Sequence, residues 1–221
     1  MSSTPNRALI VIDVQNEYVS GNLLIEYPDV RLSLQNIGRA MDAARAAAIP
    51  VVVVQNHAPA GAPIFAKGTP GWELHPLVAG RPRDHYLEKT LPSAFAGTDL
   101  ADWIAANRID TLTLTGYMTH NCVDSTAKHA LHAGMKVEFL HDATGSVPYM
   151  NRAGFATARE IHHAFSVVLQ SRFAAVVSTD EWIELLNTGG LPERDTIYRS
   201  HLQAAGHLIE ALSDSTCVPS L

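Results

Sequence analysis

Two short runs of unbroken apolar residues, 8–12 (Ala-Leu-Ile-Val-Ile) and 51–54 (four valines), constrain this chain more than any other feature. A strand with one wet face alternates apolar and polar residues. A strand with no polar side is buried on both faces, as in a parallel sheet covered by helices. Between the runs, Val30, Leu34, Ile37, Met41, Ala44 and Ala48 recur at spacings of three and four, one apolar stripe of a helix, and Pro28-Asp29 supplies its start.

The alternation continues along the chain. A Gly/Pro-rich stretch from about 58 to 83 has little periodicity and reads as a loop, of a length that is usually functional or mobile. Residues 84–88 form a short strand ending at Lys89. Thr98-Asp99 caps a helix that runs to Asn107. Residues 111–115 are a third clear strand, with Gly116 just past its end. A helix from about Asn121 to Gly134 places Val123, Ala127, Ala130 and Leu131 on one face, and 136–140 is the next strand. Residues 151–170 read as one longer helix with Phe155, Ala158, Ile161, Phe165 and Val168 inward, followed by a last strand over 173–177. Ser178-x-x-Glu181 is a capping box for a short helix to Leu186, ended by Gly189-Gly190. Residues 192–212 form an amphipathic helix with Ile197, Leu202, Ala205, Ile209 and Leu212 on one side, covering its own domain or a partner subunit. The pattern predicts an α/β fold: a parallel sheet with helices on both faces, a main domain over 1–190, and a C-terminal extension and tail over 191–221. Sites in such sheets lie at the carboxyl ends of the strands.

Composition removes several classes of function. With 221 residues and 47% apolar content the chain can bury a sizeable core. Its net charge of -6 and the lack of any Lys/Arg cluster disfavour nucleic acid. No stretch reaches the roughly 18 apolar residues of a membrane span. The first seven residues lack the marks of a secretory signal, and two cysteines, Cys122 and Cys217, are too few for a disulfide framework. A cytoplasmic protein with reduced thiols is expected.

Three residues fall at strand ends: Asp13 after the first strand, Lys89 after the short strand, and Cys122 in the first turn of the helix after the third. The topology gathers them on one rim. A helix N-terminus and a nearby ammonium both favour a thiolate, and a carboxylate beside it can take the thiol proton. Singly, each has a structural reading: a core cysteine, a turn aspartate, a solvated lysine. Together they form an activated nucleophile. Cys217 reads as an incidental free thiol.

The segments that carry these residues resemble the isochorismatase-like cysteine hydrolases, relatives of nicotinamidase and N-carbamoylsarcosine amidase. The matching motifs are Leu9-Ile10-Val11-Ile12-Asp13-Val14-Gln15-Asn16, Glu88-Lys89 before Ser93-Ala94-Phe95, and Gly116-Tyr117-Met118-Thr119-His120-Asn121-Cys122-Val123-Asp124-Ser125-Thr126. The likeness spans about residues 7 to 180. It implies a three-layer α/β/α sandwich, Rossmann-like, with a six-stranded parallel sheet. By position it implies a catalytic triad of Asp13, Lys89 and Cys122. It also implies a cis peptide between Tyr117 and Met118 and an oxyanion hole from the Met118 and Cys122 amides. The implied chemistry is hydrolysis of a small amide or ureido compound through a thioester. Isochorismatase members cleave a vinyl ether and lack the nucleophilic cysteine, which this chain keeps. The resemblance also implies a homodimer or homotetramer.

The chain departs from the nicotinamidase pattern after its second strand. Gln55-Asn56-His57 stands where that branch has an Asp-x-His metal motif, and residues 59–67 contain no further histidine. The expectation is therefore no metal and no cofactor, with His57 a pocket or hydrogen-bonding residue. Tyr18, Phe65, Trp72 and Tyr117 are the other candidate pocket walls, Phe65 and Trp72 equally readable as core. No arginine is obviously placed to hold a substrate carboxylate; Arg152 and Arg172 are conceivable, but read first as solvated helix positions. The alternative function is a non-catalytic small-molecule binder or a thiol-redox protein on the same fold.

Overall fold

The computed structural model describes residues 5–215, with side chains to residue 207. Cys217, and the side chains of Ile209 and Leu212, lie outside the described residues. The elements run β1 (Arg7–Ile12), α1 (Glu17–Ser20), α2 (Val30–Ala46), β2 (Val51–Asn56), α3 (Pro76–Ala79), β3 (His85–Lys89), α4 (Leu100–Ala106) and β4 (Thr111–Tyr117). A π-helical turn (Thr119–Val123) leads into α5 (Asp124–His132) and β5 (Lys136–Gly145). A small hairpin, β6 (Tyr149–Asn151) and β7 (Gly154–Ala156), precedes α6 (Ala158–Val168). A second π-helical turn (Leu169–Phe173) leads to β8 (Ala175–Val177), α7 (Thr179–Thr188) and α8 (Ile197–Ser215).

The main sheet has six strands in the order β3-β2-β1-β4-β5-β8, all parallel. The unbroken apolar runs are explained by the two cores they serve. Ala8, Ile10, Ile12, Val52 and Val54 face one cluster, with Leu100 and Ile104 of α4 and Ala127 and Ala130 of α5. Leu9, Val11, Val51 and Val53 face the other, with Ile37 and Met41 of α2 and Trp182 of α7. Each such side chain contributes about 1.5–3 kcal/mol by leaving water. The three-layer sandwich is therefore the fold.

At the sheet end away from Asp13, β1, β4, β5 and α7 are tied by one buried carboxylate. Glu138 pairs with Arg7 at 2.8 Å and accepts from Thr113 Oγ1 at 2.7 Å and Trp182 Nε1 at 2.8 Å. Buried charge is tolerated because every partner is supplied.

The sequence reading needs correction between 151 and 170. Residues 151–156 belong to the hairpin, where Met150 pairs with Phe155, so Phe155 is exposed, as is Val168. The helix starts at Ala158 behind a capping box formed by Thr157 and Glu160. Gly154, at φ +137°, turns the hairpin and cannot continue a helix. The strand after α5 runs on to Gly145, and the C-terminal helix begins at Ile197 rather than 192. The 58–83 stretch is mostly irregular, as expected, but contains α3. Both Ser178 and Asp29 cap their helices as the sequence indicated.

Gly116 has a specific steric reason. Its φ is +102°, and a Cβ there would stand 2.0 Å from the Ile12 carbonyl oxygen. The close approach of β4 to β1 sets Asp13 beside the turn that carries Cys122. Gly116→Ala is expected to destabilise the protein by about 3 kcal/mol or more, read by denaturant unfolding. A loss under about 1 kcal/mol would show that this approach is not required.

Candidate active site

Asp13 follows β1 in the left-handed region, at φ +52°, a conformation uncommon for a residue with a side chain and concentrated at functional sites. Its N–H donates to Val54 O on β2 at 2.9 Å, which fixes it on the rim. Lys89 is the last residue of β3, in register with Asn56 of β2. Its long side chain spans the width of β2 to reach the end of β1. Lys89 Nζ lies 2.7 Å from Asp13 Oδ2 and 3.2 Å from Cys122 Sγ. All three side chains are buried, Cys122 with 6% of its surface exposed.

The turn bearing Cys122 is braced from three sides. Asn121 and Val123 both donate to Met118 O, at 3.1 and 3.2 Å, and leave the intervening Cys122 N–H out of that pair. The Tyr117–Met118 peptide is cis. Thr119 Oγ1 donates to Thr144 Oγ1 at 3.0 Å and lies 3.0 Å from His162 Nδ1, tying the turn to β5 and α6. Thr126 Oγ1 donates to Cys122 O at 2.7 Å and accepts from Ala94 N at 3.0 Å. That bond is the physical use of the Ser93-Ala94-Phe95 segment: it clamps the first turns of the nucleophile helix.

Burial dominates the electrostatics. It pushes the Asp13 carboxyl above its ordinary value, with the Lys89 charge pulling against it. Burial pulls Lys89 down, but the charges of Asp13 and Cys122 outweigh it and hold the ammonium above the usual lysine value. The Cys122 thiol is pushed up to about 12, first by burial and then by the Asp13 carboxylate, with Lys89 opposing. These pushes run against the thiolate that the helix terminus and Lys89 favour. The helix terminus and the lysine favour the anion, but a sulfur out of water beside a carboxylate keeps its proton. Asp13 and Lys89 form the resting ion pair, and Asp13 is a base of raised strength for that proton.

The predicted walls fall in different places. Tyr18 packs its ring 5.1 Å from Phe65 and 5.3 Å from Tyr117, measured between centroids. The Tyr117 hydroxyl turns away to Ser33 on α2, at 2.7 Å, so that residue offers its ring alone. His57 Nε2 lies 3.8 Å from Glu88, and its N–H donates to Lys89 O at 3.0 Å. The Trp72 ring lies under Lys67, and its carbonyl accepts from Gln15 Nε2 at 2.6 Å and Gln55 Nε2 at 2.8 Å. Gln55 therefore pins the 58–83 loop to the sheet. Among the described residues no group of three or more His, Cys, Asp or Glu converges as a metal site would require. No described helix is long and apolar enough to cross a membrane.

Two residues escaped the sequence reading. His120, two positions before Cys122, bonds Ser146 Oγ through Nδ1 at 3.1 Å, and burial pushes its pKa down to about 4. Tyr149 of β6 sets its ring edge-on to His120, with centroids 5.0 Å apart. His120 lies within the Gly116–Thr126 segment, whereas Tyr149 carries no local signal, because helical spacing of apolar residues runs across its hairpin.

The isochorismatase domain model matches residues 7–181. The chain belongs to the isochorismatase family. It is similar to a crystal structure provisionally named an isochorismatase from Burkholderia xenovorans LB400, with 68% identity and a TM-score of 0.93 over 94% of this chain and 100% of that one. A secreted isochorismatase effector of Verticillium dahliae is 31% identical over 77% of this chain and 91% of its own length. A ureidoacrylate amidohydrolase of Methylorubrum extorquens is 32% identical over 78% and 83%. The family is one of hydrolases, some of them amidohydrolases.

Asp13→Asn removes the second cause of the raised thiol pKa and leaves Lys89 acting on the sulfur. The pH at which Cys122 alkylation by iodoacetamide is half-complete should then fall by roughly one unit, read by mass spectrometry. An unchanged or higher midpoint would mean that the Asp13 charge does not reach the sulfur.

Proposed function

We propose that this family member is a metal-independent cysteine hydrolase that cleaves the C–N bond of a small amide or ureido compound in the cytoplasm. One observation carries the reading: a buried lysine ammonium within 2.7 Å of a carboxylate and 3.2 Å of a thiol, at the carboxyl ends of parallel strands. The similarity to a ureidoacrylate amidohydrolase supports a C–N bond as the target.

The reaction begins as substrate displaces water from the sulfur. Asp13 takes the thiol proton and Cys122 Sγ attacks the carbonyl carbon. The negative oxygen develops against the Met118 and Cys122 N–H groups. Asp13 passes its proton to the departing nitrogen, the C–N bond breaks, and a thioester remains on Cys122. Asp13 then takes a proton from water, which attacks the thioester. The acid leaves and the sulfur regains its proton. Lys89 stays charged throughout and holds Asp13 and the sulfur in one geometry.

Ammonia release from a panel of primary amides and N-carbamoyl compounds tests this. Cys122→Ala should lower kcat/KM about a thousandfold or more, and acid-quenched wild-type enzyme should carry the acyl mass on Cys122. Activity requires ionised Asp13, so the acid limb should lie above the ordinary carboxylate value of about 4, and Lys89 should keep the alkaline limb above pH 10. Turnover that survives Cys122→Ala would overturn the mechanism.

The same reading makes the protein a homodimer or homotetramer. Ile197, Tyr198 and Leu202 of α8 are exposed, an apolar set suited to a second copy. Light scattering should return a multiple of the 23.9 kDa chain mass, and the monomer mass would contradict it.

A further inference from the structure

Two tyrosines, Tyr18 and Tyr149, lie close enough to Cys122 for a charge on the sulfur to act on them, and each brings a ring and a hydroxyl. Tyr18 is 2% exposed, and its hydroxyl makes no hydrogen bond among the described residues. Its ring is fixed between Phe65 and Tyr117. Tyr149, 40% exposed, also has an uncommitted hydroxyl and is held by its edge-on contact with His120. His120 is neutral near pH 7, and its Nε2 is buried without a partner. Lys89 is committed to Asp13 and Cys122, and Lys67, on the loop after β2, is committed to Glu88. Arg152, in the turn of the β6–β7 hairpin, is exposed.

We propose that the site takes an uncharged amide, anchored by the Tyr18 and Tyr149 hydroxyls, and that Tyr149 is the position that sets this preference. That the ligand is an amide rests on the proposed hydrolysis; its lack of charge follows from the residues around the sulfur. A carboxylate brought to the sulfur would sit beside Asp13, whose charge is already matched one-to-one by Lys89, and would enter a partly dry site with no cation of its own. A neutral carbonyl or NH2 group meets two hydroxyls and a neutral imidazole, each able to donate or accept. Burial raises the pKa of both tyrosines, so they remain protonated donors at working pH.

A pair of reagents of one shape and different charge tests the pocket without any substrate. Iodoacetamide and iodoacetate alkylate cysteine by the same step: the S–C bond forms, iodide leaves with the C–I electron pair, and the thiol proton goes to Asp13. At pH 9, the iodoacetamide-to-iodoacetate rate ratio at Cys122 should exceed the ratio for free cysteine by at least about tenfold. Tyr149→Arg should bring the ratio back toward that of free cysteine, whereas Tyr149→Phe should leave it high. A ratio equal to free cysteine, or a preference for iodoacetate lost in Arg152→Ala, would overturn the proposal. So would a Cys122 inert to both reagents when folded but reactive when denatured, because the pocket would then exclude a neutral molecule of this size. Catalysis is read separately: an amide panel with no turnover but a high ratio would sink the hydrolase reading and leave the neutral pocket intact.

Discussion

The Asp13–Lys89 ion pair is the interaction on which the site depends. Both side chains are out of water, and removing two such charges from solvent costs several kcal/mol per ion even after relaxation. A 2.7 Å contact offsets much of that only while the geometry holds, so the ends of β1 and β3 must stay in register with β2 between them. The parallel sheet supplies that register. Its two dry faces fix β1 and β2 from both sides, and Gly116 lets β4 come close enough to place the Cys122 turn against the pair. Removing either charge alone leaves the other buried and uncompensated, so the pair is coupled to folding as tightly as to chemistry.

Much of this was legible in the sequence, and for identifiable reasons. Residues 8–12 and 51–54 announced doubly buried strands because nothing polar interrupts them. Ser178-x-x-Glu181 marked a helix start because the reciprocal side-chain bonds are local. Asp13, Lys89 and Cys122 were found from their places at strand ends and from the motifs around them. The misreading of 151–156 has an equally local cause. The apolar residues at 155, 158, 161 and 165 keep helical spacing across a boundary that Gly154 and the Thr157 cap enforce, and the spacing was given more weight than the punctuation. Tyr149 was missed with it.

The resting state of the sulfur was not legible at all. Sequence supplies the groups themselves, a helix start, a lysine and a carboxylate, but not the desolvation that weighs most on the sulfur. The difference matters for function. Burial and the Asp13 carboxylate both push the thiol toward its protonated form, and oxidation follows thiolate character and exposure. A protonated thiol suits a nucleophile released only when a substrate fills the space around it and Asp13 takes the proton. The isochorismatase family includes amidohydrolases among its hydrolases, so the residues at the rim, rather than the fold, decide the chemistry.

At rest, Lys89 and Asp13 form a charged pair and burial favours the protonated form of Cys122. Infrared difference spectroscopy between the wild-type protein and Cys122→Ser, at neutral pH, reads that proton directly. The expected result is an S–H stretch that vanishes in the variant, with no protonated-carboxyl band from Asp13. A spectrum with no S–H stretch from Cys122 and a protonated carboxyl band that Asp13→Asn removes would contradict it, because the proton would then rest on Asp13 and the sulfur would be an anion.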